Sequence, residues 1–151
     1  MAEGIKIVAD NRKARYEFEL LDRFEAGLAL QGSEVKALRE GKANLQDAFA
    51  AVQQGEAILH NLHISPYSHG GYSNHEPVRP RKLLLKKGEI LKMQKATQQK
   101  GFTLVPTKLY FKNGWAKVEI AVGRGKKLHD KRHDIAEREA KRRMDRLQGK
   151  V

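Results

Sequence analysis

Val105-Pro-Thr-Lys-Leu-Tyr-Phe-Lys-Asn-Gly-Trp-Ala-Lys-Val-Glu-Ile-Ala-Val122 decides the fold class. Val105, Leu109 and Phe111 lead into Asn113-Gly114, and Trp115, Val118, Ile120 and Val122 lead away from it. Asn-Gly suits the type I′ turn, whose twist matches that of two paired strands. Lys117 and Glu119 take the opposite face from Val118 and Ile120, so one face of this hairpin is buried and the other wet.

The same period of two recurs upstream. Tyr16, Phe18 and Leu20 alternate with Glu17 and Glu19, and Phe24, Ala26, Leu28 and Leu30 alternate likewise, with a bend at Asp22-Arg23. Residues 1–10 read as a frayed terminus, and Asn11 to Arg15 as a basic lead-in to the first strand. Gly32-Ser33 opens a short helix with Ser33 as N-cap, Glu34 at its positive end and Gly41 closing it in a left-handed conformation. Val35 and Leu38 bury one side of this helix, while Lys36 and Arg39 project together from another, which an exposed amphipathic face would explain equally well. Phe49 to Val52 and Ala57 to Ile64 flank Gln53-Gln54-Gly55-Glu56 as a second hairpin. Residues 65–82 hold three of the four prolines and read as a long surface loop. Leu83-Leu84-Leu85 precedes a helix over 87–100, whose buried stripe is Ile90, Leu91, Met93 and Thr97.

About six strands with two short helices predict a mainly β protein: an oligonucleotide-binding-type closed β-barrel over residues 1–122. Residues 123–151 form a basic C-terminal tail. Of the net charge of +12, the stretch from Arg124 to Val151 carries half, with eleven basic and five acidic residues. The junction Gly123-Arg124-Gly125-Lys126-Lys127-Leu128-His129-Asp130-Lys131-Arg132 sets cations beside a flexible backbone, which suits a polyanion, although a solvated linker has the same composition. Asp134 and Glu137 begin a helical plan whose apolar stripe is only Ala136, Ala140, Met144 and Leu147. So little buried surface predicts a helix that forms on its target.

The strong positive balance points to an anionic partner, nucleic acid or an anionic membrane surface. No apolar run approaches the ~20 residues needed to span a bilayer, and the N-terminus has no signal-peptide core. The absence of cysteine excludes cysteine-ligated zinc and fits a reducing compartment. Gly123 to Lys126 superficially resembles a phosphate loop, but Ile120 and Lys127 stand where that motif needs Gly and Ser or Thr. His129 and His133, and His60 and His63, have metal-like spacings without third ligands. No serine sits in a nucleophile elbow. These observations read as a cytoplasmic RNA binder with no cofactor, no metal and no catalytic residue. An RNA-processing enzyme with a basic groove and a structural ribosomal protein are the competing classes.

Four motifs in order carry a specific resemblance: Asn11-Arg-Lys-Ala-Arg15, Phe24-Glu-Ala-Gly-Leu-Ala-Leu-Gln-Gly-Ser-Glu-Val-Lys-Ala-Leu-Arg-Glu-Gly-Lys-Ala-Asn44, Arg81-Lys-Leu-Leu-Leu85 and Gly123 to Arg132. Together they resemble the small protein B family, the bacterial SsrA-binding proteins that partner transfer-messenger RNA. The resemblance implies a barrel that clasps the tRNA-like part of that RNA and delivers it to stalled ribosomes for trans-translation. It implies a tail that lies in the empty message channel, with the Gly-Lys-Lys segment at the decoding centre. It implies elongation factor Tu as a partner through the RNA, and a monomer without a membrane partner. By motif match, the RNA-binding positions are Asn11, Lys13, Arg15, Glu25, Lys82, Leu84 and Lys117, with Lys36, Arg39, Lys42 and Asn44 on the helix-and-loop surface. Gly125, Lys126, Lys127 and His129 match the decoding-centre segment, Asp130, Lys131 and Arg132 the motif after it, and Lys141, Arg142 and Arg143 the outer tail. His129 suits stacking on a base, or is an inert exposed imidazole. Glu25, a carboxylate facing RNA, would accept from a base edge or orient a neighbouring cation.

Overall fold

The computed structural model describes residues 4–68, 74–126 and 138–143. In chain order its elements are β1 (Ile5–Asp10), α1 (Arg12–Glu17), β2 (Phe18–Leu28), α2 (Gly32–Arg39), β3 (Ala43–Asn44), β4 (Phe49–Gln53), β5 (Glu56–His60), β6 (His63–Ile64), β7 (Arg81–Leu84), α3 (Lys87–Thr97), β8 (Phe102–Lys112) and β9 (Trp115–Gly125). The main sheet runs β1-β8-β4-β5-β7-β2-β9, and β9 pairs again with β8. Six strands thus close a ring of hydrogen bonds, with β1 attached outside it on β8. β3 and β6 make a separate two-stranded sheet. Ring closure leaves few open edges, which is how a small β protein avoids pairing with foreign strands.

The hairpin of β8 and β9 supplies the longest register in the ring, from Phe102 opposite Arg124 to Lys112 opposite Trp115. Its turn has Asn113 at φ 50° and Gly114 at φ 85°, the double positive φ of a type I′ turn. Gln54 and Gly55 repeat this geometry between β4 and β5. Leu104, Leu109, Val118 and Ile120 point inward from β8 and β9 and meet Leu59, Leu83 and Met93 in one core.

β8 divides its second edge between two partners. Lys108 to Lys112 pair with β1, and Leu104 pairs with Ala50 of β4. Pro106 stands between them, where a residue without an N–H interrupts the ladder and the register with β9 shifts. Asn11 fills the gap. Its backbone N–H donates to the Thr107 carbonyl at 2.8 Å, and its side-chain amide donates to the carbonyls of Pro106 (2.8 Å) and Leu45 (3.2 Å). The side-chain oxygen accepts from the Ala14 N–H and caps α1. At 2 % exposure, Asn11 is a joint of the fold rather than a surface that RNA could touch. Asn11→Ala is expected to remove a helix cap worth ~1 kcal/mol. It also strands buried carbonyls, bringing the total loss to about 2–4 kcal/mol in urea unfolding. A loss below ~1 kcal/mol would show the joint to be dispensable.

Several expectations change. Residues 5–10 are a paired strand and not a frayed terminus, because Val8 and Ala9 pack on the core. The basic lead-in, with Tyr16 and Glu17, is the helix α1, started by the Asn11 cap. Asp22-Arg23 bends a single strand, β2, with a register shift between Leu20 and Arg23. The N-cap of α2 is Gln31, whose N–H donates to Glu34 at 2.8 Å, while the Ser33 hydroxyl pairs with His75 Nδ1 at 2.9 Å. Gly41, at φ 76°, ends that stretch as expected. α3 stops at Thr97, and Leu91 lies half exposed because the core-facing side of this helix is centred on Met93. β7 begins inside the stretch expected to be a loop, and β9 runs to Gly125, past the expected boundary at 122. There are nine strands and three helices among the described residues, with a further helical stretch at 138–143.

Beneath α2 lies an ionic core. Arg81 and Glu34 are each fully buried and meet at 2.5 Å, and Arg79 reaches the same carboxylate. Arg81 also donates to the carbonyls of Leu62 (2.6 Å) and Pro77 (3.1 Å), so the stretch before β7 is folded around its guanidinium. Burial opposes ionisation of Glu34, but hydrogen bonds from Arg79, the Gln31 N–H and Arg81 outweigh it and hold the carboxyl below its usual 4.5.

Candidate nucleic-acid interface

β7 is inverted for a strand of an apolar core: it buries its arginine and exposes its second leucine. Arg81 and Leu83 point inward, whereas Lys82 and Leu84 face solvent, Leu84 at 53 % exposure. Leu84 lies across from Gly27 of β2, and a Cβ at that glycine would come within 3.3 Å of the Leu84 Cβ. Glycine therefore lets the leucine lie close over the strand. Lys117 of β9 pairs with Gly27 from the other side.

These residues line a cleft of about 610 Å³, which brings together Glu25, Lys82, Leu84 and Lys117 with Glu56 and Lys86. Glu25 from one motif and Lys82 and Leu84 from another thus share one site with Lys117. Glu25 lies in it as a neutralised group. The Tyr110 hydroxyl donates to its carboxylate, and Lys112 Nζ is 3.5 Å from both of its oxygens. The Tyr110 hydrogen bond, aided by the charges of Lys112 and Lys117, overcomes partial burial and holds the Glu25 carboxyl below its usual value. The carboxylate orients a cation here, one of the two roles left open by sequence. Lys82 is 3.3 Å from Glu56, a half-exposed pair worth little on its own. Lys117 makes no ion pair or hydrogen bond among the described residues. A wet leucine between lysines offers an apolar contact for a sugar or base and cations for phosphate.

A second surface does not join the cleft. Lys36 and Arg39 are exposed on α2, with Lys36 Nζ 5.6 Å from the Tyr67 ring centre. Lys42 and Asn44 are exposed beyond it, and the Asn44 side chain accepts from the Gln46 N–H at 2.8 Å. Lys13 of α1 meets this turn 3.4 Å from Asp47, and Arg15 pairs with Asp10. Sequence reasoning missed Tyr110 and Lys112, since only the register across β2, β9 and β8 brings them to Glu25. The signal was present: Tyr110 alternates with the inward Leu109 and Phe111, as does Lys112.

At the start of the tail, the Gly125 N–H donates to the Gly101 carbonyl at 3.4 Å and the Lys126 N–H to the Glu17 carbonyl at 2.9 Å, so both backbones are anchored to the body. A Cβ at Gly123 would meet Phe18 side-chain atoms at 3.2 Å, so a side chain there needs Phe18 to give by a few tenths of an ångström. Lys127, His129, Asp130, Lys131 and Arg132 lie outside the described residues. Lys141, Arg142 and Arg143 are exposed on the helical stretch 138–143, where Arg138 is 5.6 Å from the Tyr16 ring centre. His60, one of the histidines with metal-like spacing, stacks on Phe49 with ring centres 5.1 Å apart. No described helix is long and apolar enough to cross a membrane.

The chain is similar to known proteins over nearly its whole length. The model of the SmpB protein family matches residues 8–150. The chain belongs to the SmpB family. Among the relatives of this SmpB chain, the SsrA-binding protein of Pelotomaculum thermopropionicum is 56% identical over 143 residues, covering 95% of this chain and 94% of that protein. The SsrA-binding protein of Desulforudis audaxviator is 57% identical over 144 residues, with coverage of 95% and 94%. A solved chain described as "tmRNA-SmpB: a journey to the center of the bacterial ribosome" superposes with a TM-score of 0.69 at 49% identity, covering 80% of this SmpB chain and 85% of that one. The ring of strands described above is therefore an SmpB fold.

Proposed function

We propose that this chain binds transfer-messenger RNA and carries it to stalled ribosomes for trans-translation in the cytoplasm. The observation that carries the reading is the cleft, where Leu84 is held wet between Lys82 and Lys117 over a neutralised Glu25. Support comes from relatives named for binding SsrA and from a structural relative described together with transfer-messenger RNA and the ribosome. The body grips the tRNA-like part of the RNA through the cleft, and Lys13, Lys36, Arg39, Lys42 and Asn44 add phosphate contacts on a second face. The tail, from Lys126 onward, enters the empty message channel, with Lys127 and His129 at the decoding centre and Lys141, Arg142 and Arg143 further along it. Elongation factor Tu joins through the RNA, and the protein acts as a monomer without chemistry of its own.

Phosphate contacts make affinity fall with salt, because counterions released on binding must be bound again on dissociation. Lys117→Ala is expected to weaken binding of transfer-messenger RNA and to lower the slope of log affinity against log salt by about one. Filter binding across a salt series measures both. An unchanged slope and affinity would remove Lys117 from the interface, and no RNA binding by the native chain would overturn the reading itself.

A further inference from the structure

The cleft continues onto a sheet face that none of its lining residues explains. Partners across antiparallel strands point to the same side, so Ile5, Lys112 and Trp115 form one row over β1, β8 and β9. Ile7, Tyr110 and Lys117 form the next row, and Lys117 and Tyr110 lead directly to Glu25. Trp115 is 73 % exposed and is the lone tryptophan of the chain; Lys112 stands next to it in its row, with the half-exposed Ile5 beyond on β1. The hairpin tip holding Trp115 is fixed, since the Asn113 N–H donates to the Gly4 carbonyl at 2.9 Å and its side chain accepts from the Gly4 N–H at 3.3 Å.

An indole this exposed on a fixed hairpin tip suits an occupant, and the charges around it select one. The two carboxylates on it are already satisfied: Glu25 by Tyr110 and Lys112, and Glu119 by Arg23 at 3.1 Å and by Thr107. Lys117 and Lys108 make no salt bridge among the described residues, Lys117 acting on Glu25 only through its charge and Lys108 lying 5.8 Å from the Tyr110 ring centre. A rigid indole beside surplus cations suits an unstacked base whose own phosphate reaches the lysines. A second copy of this chain would bring the same surplus positive charge and be repelled.

We propose that Trp115, with Lys112 and Lys117 as its neighbours on this face, is a stacking platform for one unpaired base of the RNA whose backbone lies in the Lys117 cleft. This rests on the RNA-binding reading above. The full chain should be titrated with transfer-messenger RNA made by transcription while the emission of Trp115 is followed. Quenching on binding, with loss of acrylamide access, is expected. Trp115→Phe should bind nearly as the native chain, and Trp115→Ala about 5- to 100-fold more weakly. Because the indole is exposed, both variants should melt as the native protein does. Tight RNA binding with unchanged emission and an unaffected Trp115→Ala would overturn the platform and leave the cleft reading standing. No RNA binding by the native chain would overturn both. Concentration-dependent dimers lost in Trp115→Ala would instead make this face an interface between copies.

Discussion

Glu34→Ala is expected to destabilise the protein by about 3–5 kcal/mol, because it leaves a buried guanidinium without its counter-charge. Arg81 is fully buried and its charge cannot relax into water, while Arg79 loses the same partner. The change also removes the acceptor that fixes the Gln31 N–H at the start of α2. A domain of this size has only ~5–15 kcal/mol in total, so the variant stands near the threshold for folding at 37 °C. Glu34→Gln keeps an acceptor and should lose less. The pH dependence follows from the lowered carboxyl value of Glu34. Its contribution is fully present above about pH 4.5 and is lost as pH falls through the folded-state value, since protonation removes the charge that Arg79 and Arg81 stabilise. Melting temperature should therefore drop on acidification below pH 4.5, less steeply in Glu34→Gln. Equal melting of native protein and Glu34→Ala at pH 7 would show that the network stabilises nothing.

Deleting residues 135–151 is expected to abolish tagging on stalled ribosomes while leaving affinity for transfer-messenger RNA nearly intact. Every side chain of the cleft comes from β2, β5, β7, β9 or the segments between β4 and β5 and between β7 and α3, including the start of that helix. The strand pairs that close the ring through β9 all lie before residue 126, so the deletion leaves the ring closed. Removing six of the basic residues lowers the long-range attraction between protein and RNA, but no residue of the cleft. Binding and tagging should be measured on the same preparations in a reconstituted translation system. Equal loss of both would mean that body and tail do not act separately.

What could be read in the sequence was whatever local chemistry encodes. The Asn113-Gly114 turn, the Gln54-Gly55 turn and the Gly41 helix end each need a backbone that only certain residues adopt, and all were legible. The start of the chain was misread because Ile5 and Ile7 are exposed on β1, so the period that marks a half-buried strand carries no signal there. Asn11 was misread for a different reason. In a basic run it resembles a surface group, and only Pro106, far away in sequence, makes its amide necessary to the core. The ionic pair of Glu34 and Arg81 is likewise a contact between distant segments, invisible to periodicity. Of the candidate site, the four cleft residues came from the family resemblance. The physical reason that a glutamate can stand among them, its bonds to Tyr110 and Lys112, required the strand register.

The most direct measurement is sequencing of the RNA that copurifies with the tagged full chain. Strong enrichment of transfer-messenger RNA over ribosomal and transfer RNA, weakened when Leu84 and Lys117 are both replaced by alanine, is the expected result. Recovery of bulk ribosomal RNA without that enrichment, or enrichment unaffected by the double replacement, would contradict a body that grips one folded RNA through this cleft.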